Sequence, residues 1–186
     1  GDAIYRVTDV TKQEDNRQLV DYAQEHYGRV DVLFLNAGIM PVTFLSDLQV
    51  DRWINAIDVN LKGVLYGIAA ALPVFKKQNG GQVIATSSVA GLQAYPGVAA
   101  YSATKFGVRA IMDTLRLESA QEKSHIRTTT IYPGAVATDL MANSGNDSNN
   151  AQFARMSPAE VADAVAYAIN QPVNVSVGNI TISAQA

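Results

Sequence analysis

Tyr101-Ser-Ala-Thr-Lys105 holds a phenol and an ammonium four residues apart. On a helix that spacing sets both on one face, one turn from each other. A tyrosine, with a reference pKa of about 10, is a poor base at neutral pH, and a fixed lysine charge beside it favours the phenolate. Such a pair could move a proton to or from a carbinol oxygen. Taken alone, the pattern occurs on any helix. Thr86-Ser-Ser-Val-Ala-Gly91 changes its weight, because it stands at the end of a predicted strand, one loop before that helix. From there the Ser88 hydroxyl can meet the tyrosine. Ser87 points to the opposite side if the strand persists and is read as structural.

The elements that must position these groups alternate between strand-like and helix-like, the order of an α/β domain with a mostly parallel sheet. Residues 3–8 alternate like a strand, and 12–27 carry Leu19, Val20 and Ala23 at helical spacing until Gly28 stops them. Residues 30–35 form a second predicted strand, so nearly all apolar that it suits burial on both faces between helices. One long helix is predicted over 51–77, a third strand over 82–87, a second long helix over 99–123 and a fourth strand over 126–132. Each ends in Gly, Pro, Asn or Ser punctuation. Residues 142–152 have too few apolar side chains to pack and are read as a mobile surface segment, either a lid over a pocket (141–153) or a plain loop. Ser157-Pro-Ala-Glu160 is a capping box with proline at the first helical position, opening a helix to about Asn170 before a last strand at 179–183. Without repeats or a linker, residues 1–186 read as one domain.

Asn36-Ala-Gly38 lies where a parallel strand ends, which is where open α/β sheets bind their ligands, and Gly38 lets the backbone come close to one. An ordinary strand-to-helix turn has the same composition. Together with Asp58-Val-Asn60-Leu-Lys-Gly63, Tyr132-Pro-Gly-Ala-Val-Ala-Thr138 and Asp9-Val10, these motifs resemble those of the short-chain dehydrogenase/reductase family, in the family's order. Leu35 stands where the family's Asn-Asn-Ala-Gly usually has its first asparagine. The resemblance covers nearly the whole chain. It implies a Rossmann-type doubly wound parallel sheet with helices on both faces, and an NAD- or NADP-dependent oxidoreductase interconverting an alcohol and a carbonyl by hydride transfer. Tyr101 would be the proton donor or acceptor and Ser88 would hydrogen-bond the substrate oxygen. Lys105 would lower the tyrosine pKa and hold the nicotinamide ribose, and Asn60 would anchor a water joining Lys105 to solvent. The implied cofactor-binding positions are Asp9 and Val10 at the adenine, Asn36, Ala37 and Gly38, Tyr101 and Lys105, and Pro133, Gly134, Val136 and Thr138. Thr138 would bond the nicotinamide carboxamide, against the plainer reading of a helix cap. Small alcohols such as 3-hydroxy acids or serine are the loosest part of the resemblance. The family also implies a homodimer or homotetramer through helices 51–77 and 99–123. The competing reading is a nonenzymatic binding or regulatory protein on the same scaffold.

The family opens with a strand running into Thr-Gly-x-x-x-Gly-x-Gly, whose backbone amides receive the pyrophosphate. The 186 residues contain no such motif. Residues 1–9 resemble instead the family's third strand, so the expectation is an N-terminally truncated, incomplete domain that is inactive or nearly so by itself, with its choice between NAD and NADP unreadable. The family's strand order, 3-2-1-4-5-6-7, would then part residues 3–8 from 30–35. Either residues 3–8 move in beside 30–35, or a second chain covers that apolar edge. A bare edge on that strand removes both expectations.

Composition narrows the partners. At 48% hydrophobic residues the chain can build a substantial core, and a net charge of −3 lacks the basic excess of a nucleic-acid binder. The absence of cysteine rules out disulfides, thiolate metal sites and cysteine nucleophiles, and fits a cytoplasmic protein. Residues 63–75, interrupted by glycines and Pro73, fall short of the roughly 20 residues a membrane span needs and read as a core or interface helix. No charged-then-apolar leader opens the chain, so neither membrane insertion nor secretion is expected. His26 and His125 sit near helix ends without ligand spacing, so no metal is expected. Trp53, Tyr66 and Phe75 read as core or subunit-contact residues.

Overall fold

The computed structural model describes residues 2–142, 144 and 154–185. In chain order it runs α1 (Gln13–Tyr27), β1 (Val32–Leu35), α2 (Val50–Ile57), α3 (Gly63–Gln78), β2 (Gly81–Thr86), α4 (Ala99–Glu122), β3 (Ile126–Pro133), the short α5 (Asp139–Ala142), α6 (Pro158–Ile169) and β4 (Asn179–Ile182). The strands pair in parallel in the order β1-β2-β3-β4. Parallel neighbours require crossover connections, and the crossover helices cover the two faces. Successive residues of β2 serve opposite faces. Val83 and Ala85 join Val64, Ile68 and Phe75 of α3 with Val108 and Met112 of α4, whereas Ile84 joins Ile131 with Val165 and Ala168 of α6. The carboxyl ends of all four strands therefore open at one edge of a sheet packed on both sides, as the α/β reading requires.

Local signals set the element ends. Gly28 stops α1 in the left-handed conformation, at φ 75°, and Ser157 with Glu160 forms the reciprocal capping box that starts α6. The helix predicted over 51–77 is two helices joined by a five-residue π-helical turn, Asp58–Lys62. The continuous helical run Val50–Gln78, 29 residues, is long and apolar enough to cross a membrane by length and composition. That corrects the shortness inferred from residues 63–75 alone. In this fold its inner side supplies Val64, Ile68, Ala71 and Phe75 to the core, as the core-helix reading expects.

Residues 3–8 are not a strand, and Tyr5 and Val7 are 88% and 89% exposed. Their alternation describes side chains only, whereas a strand also needs a neighbour's backbone groups, and among the described residues no strand pairs with them. Among the described residues β1 pairs with β2 alone, so residues 3–8 have not moved in beside it and its other edge carries no strand of this chain. Nor is β1 buried on both faces: Phe34 is 41% exposed, because α6, the helix on its face of the sheet, sits over β3. Most of the expected lid, 143 and 145–153, lies outside the described residues.

Candidate active site

The end of β2 and the start of α4 bring the catalytic candidates together. After Thr86 the chain stays extended through Ser88, whose Oγ accepts from the Ala90 amide at 3.1 Å and so caps the turn Val89–Gly91. The same hydroxyl lies 3.5 Å from the Pro133 carbonyl and is close enough to the Tyr101 phenol to lower its pKa. Ser87 faces away and donates to the Lys105 carbonyl at 2.9 Å, as its structural reading expects. It ties α4 to the strand end at the turn that carries the lysine.

Tyr101 and Lys105 occupy one face of α4 and are both buried, 6% and 4% exposed. Lys105 Nζ donates to the Thr86 carbonyl at 2.7 Å and lies 5.5 Å from the centroid of the Tyr101 ring. Burial pushes the phenol pKa above its usual 10.0, and the hydrogen bond with Ser88 pulls it back in part. Burial also holds the Lys105 ammonium down to about 8. Loss of water is the largest influence on the phenol, and Ser88 is the group that opposes it. The lysine is itself desolvated, with one of its protons committed to a strand carbonyl.

Asn60 sits inside the π-helical turn, 1% exposed, with every side-chain proton engaged. Its Nδ2 donates to the Ile39 carbonyl at 2.8 Å and to Thr104 Oγ1 at 3.1 Å, while Oδ1 accepts from the Ile39 amide at 2.8 Å. The carboxamide thus clamps the loop after β1, and Oδ1, with two lone pairs, has accepted one bond. The π-helical turn is the backbone's accommodation of this inward side chain, and such turns recur at functional sites.

The positions implied for cofactor binding gather mostly at the same strand ends. Asn36 follows β1 and accepts a 2.8 Å bond from the Thr86 hydroxyl. A Cβ added at Gly38 would stand 3.4 Å from Asn60 Oδ1 and 3.6 Å from Lys105 Nζ, so only hydrogen occupies the space beside the ammonium. Ala37 is exposed next to it. Pro133 ends β3, Gly134 donates to the Ile182 carbonyl at 2.8 Å, Val136 bridges to Met156, and Thr138 is exposed just before α5. Asp9 and Val10 serve local structure. The Asp9 carboxylate accepts from the Thr11 amide and hydroxyl, bonds that with nearby Lys12 lower its pKa, and Val10 packs on Gly63. Among the described residues no group of three or more His, Cys, Asp or Glu could hold a metal ion. His26 bonds the Tyr22 carbonyl at 3.0 Å, Trp53 donates to Thr43 at 2.7 Å, and Phe75 is wholly buried in the core.

Sequence reasoning missed three contributors. Thr86 and Ile39 act through backbone groups, which any residue supplies and no residue type signals. Thr104 lay in plain view between Tyr101 and Lys105; a hydroxyl inside a helix, on the side that must be buried if its neighbours are, was the available signal.

Known proteins share the sequence pattern and the fold. The sequence model of the short chain dehydrogenase family matches residues 1–149. An uncharacterized oxidoreductase of Listeria monocytogenes serovar 1/2a is 53% identical over 189 residues, spanning 98% of this chain and 76% of the relative. The crystal structure of an alcohol dehydrogenase from the archaeon Thermococcus sibiricus, complexed with 5-hydroxy-NADP, superposes with a TM-score of 0.84 at 27% identity, covering 96% of this chain and 73% of that one. Serine dehydrogenase from Escherichia coli superposes at 0.78 with 26% identity, over 94% of this chain and 72% of its own. The chain belongs to the short-chain dehydrogenase family of NAD(P)-dependent oxidoreductases.

Proposed function

We propose that the protein interconverts a small alcohol and its carbonyl compound, with Tyr101 as the group that gives and takes the proton. The observation that carries this reading is the convergence, at one strand end, of a buried phenol with the Ser88 hydroxyl on it and the Lys105 ammonium 5.5 Å from its ring centroid. A phenol held protonated by burial is a proton donor at neutral pH, the form that carbonyl reduction uses. Ser88, fixed by its bond from the Ala90 amide, orients the oxygen of the reacting group beside that phenol. Lys105 keeps two protons after its bond to Thr86, enough to hold a ribose hydroxyl and to return a proton toward Tyr101.

The nicotinamide cofactor, NAD or NADP, supplies the hydride acceptor or donor when bound. The residues present fit it: Gly38 leaves open the space beside Lys105 Nζ, at the strand ends where such folds take their ligands. Asn36, Ala37 and Gly38 would line it on one side, Pro133, Gly134, Val136 and Thr138 on the other, with Asp9 and Val10 toward the adenine. A cavity of about 390 Å³ bordered by Phe44, Leu45, Tyr95 and Pro96 reaches Ala99, two residues ahead of Tyr101, and we take it as the substrate side. The two structural neighbours, an alcohol dehydrogenase and a serine dehydrogenase, support a small hydroxylated substrate.

We also assign the protein a homodimeric or homotetrameric state through residues 51–77 and 99–123, where Ile54, Leu65, Phe106 and Leu117 are 50%, 46%, 40% and 67% exposed. The lack of cysteine suits action in the cytoplasm. The nonenzymatic alternative is not favoured by the family match or by relatives named as oxidoreductases. The test is Tyr101→Phe in the full-length protein, assayed by nicotinamide absorbance against a panel of short hydroxy acids and ketones. Turnover lost by roughly 100-fold or more supports the assignment, and a variant with unchanged turnover refutes it.

A further inference from the structure

We propose that Thr104 is a positioning residue of the active site, its hydroxyl locking the first turn of α4 to the π-helical turn and so holding the Tyr101 phenol in register with Ser88. Thr104 is 1% exposed. Its Oγ1 accepts from Asn60 Nδ2 at 3.1 Å and donates to the Tyr101 carbonyl at 2.7 Å. A hydroxyl has one proton and two lone pairs, so both bonds form at once without competition. They extend the Asn60 clamp on Ile39 into a directed chain: loop amide and carbonyl, carboxamide, hydroxyl, and the backbone of the tyrosine itself.

Each link has a job that apolar packing would not do. A threonine bonded to the carbonyl three residues back bends a helix locally and is a mildly unfavourable choice inside one. Here that bond lies between the two side chains whose relative placement matters. Removing the hydroxyl would leave one Asn60 amide proton unpaired in the interior, with Ile39 its other anchor, and would free the first turn of α4 from the π-helical turn. A shift of about 1 Å in a reacting group costs roughly 100-fold in rate, so small losses of register are visible in turnover.

The activity arm of this inference rests on the reading of Tyr101 given above; the spectroscopic arm does not. Thr104→Val keeps the shape and branching and deletes the hydroxyl, and Thr104→Ser keeps the hydroxyl and deletes a methyl group. In the full-length protein we expect Thr104→Val to lower kcat roughly 10- to 100-fold, with the cofactor KM changed less than about threefold and the pH profile of kcat displaced, and Thr104→Ser to recover most of the loss. In nuclear magnetic resonance spectra the Asn60 side-chain amide protons should exchange slowly with solvent in the parent and in Thr104→Ser, and one of them quickly in Thr104→Val. The proposal is overturned if Thr104→Val keeps parental kcat and pH profile, if Thr104→Ser is as impaired as Thr104→Val, or if Asn60 proton exchange is the same in all three. An active Tyr101→Phe enzyme with the exchange pattern intact would overturn the acid/base reading and leave the Thr104 lock standing.

Discussion

Replacing Lys105 with methionine should stabilise the folded chain at neutral pH, although it removes a central polar group of the site. The lysine is 4% exposed, and burial alone lowers its pKa from 10.5 to about 8. At about 1.4 kcal/mol for each tenfold change in proton affinity, holding that ammonium charged in the interior costs the native state about 3 kcal/mol. Its 2.7 Å bond to the Thr86 carbonyl returns roughly 1 kcal/mol, which the variant loses. Methionine fills similar apolar volume, so the expected net gain at pH 7 is about 2 kcal/mol. The sign with pH follows from proton counting. Above 10.5 the lysine is neutral in both states and costs nothing. Between 8 and 10.5 the unfolded chain holds a proton that the native state does not, so the parent's stability rises with pH. Below 8 both states are charged and the native state bears the whole cost. Tyr101, with its pKa raised by burial, works in the opposite sense only above pH 10 and is present in both proteins, so it drops out of the comparison. Urea unfolding of both proteins at pH 7 and pH 9.5 should show the variant's advantage shrinking by about 2 kcal/mol, to near zero. An advantage that is the same at both pH values, or a variant less stable at pH 7, would refute the reasoning and mean that the ammonium is better solvated than its burial implies.

Ser88→Ala removes the one hydrogen bond that lowers the Tyr101 pKa, so the ultraviolet titration of that phenol should move further up, and turnover should fall by roughly 100-fold; an unmoved titration would show that the bond is not made in solution. In the full-length protein Gly38→Ala adds a methyl at ordinary contact distance from Asn60 and Lys105, so the melting temperature should change by no more than a few degrees while nicotinamide binding weakens at least roughly tenfold in calorimetry. Equal binding by parent and variant would remove Gly38 from the cofactor site. Leu117→Glu places a charge on the exposed apolar side of α4, and light scattering should show a smaller particle than the parent; an unchanged mass would move the subunit contact elsewhere.

Sequence periodicity placed β2, β3, β4, α4 and α6 to within two residues because each is a run whose period differs from its neighbours' and whose ends carry their own chemistry, as Ser157 with Glu160 does for α6. Residues 3–8 failed because strand formation is a relation between two stretches of backbone, and one stretch cannot announce whether another will lie beside it. The π-helical turn was hidden for a related reason: inserting one residue's worth of backbone at 58–62 leaves apolar spacing on either side intact, and only the partnership of Asn60 with Ile39 twenty-one residues away reveals it. In the site, Ser88, Tyr101 and Lys105 were legible as side-chain types at fixed spacing. The forces acting on them were not, since pKa values depend on how much water is lost, and spacing says nothing of depth. A lysine four residues from a tyrosine predicts a stabilised phenolate when both are wet. The same pair 4% and 6% exposed yields a protonated phenol and a weakened ammonium, held in place by a strand carbonyl. The chemistry of this site is therefore set as much by the sheet that buries α4 as by the motif α4 carries, and changes to the Thr86 strand end or the Asn60 clamp should move the pKa values of residues they do not replace.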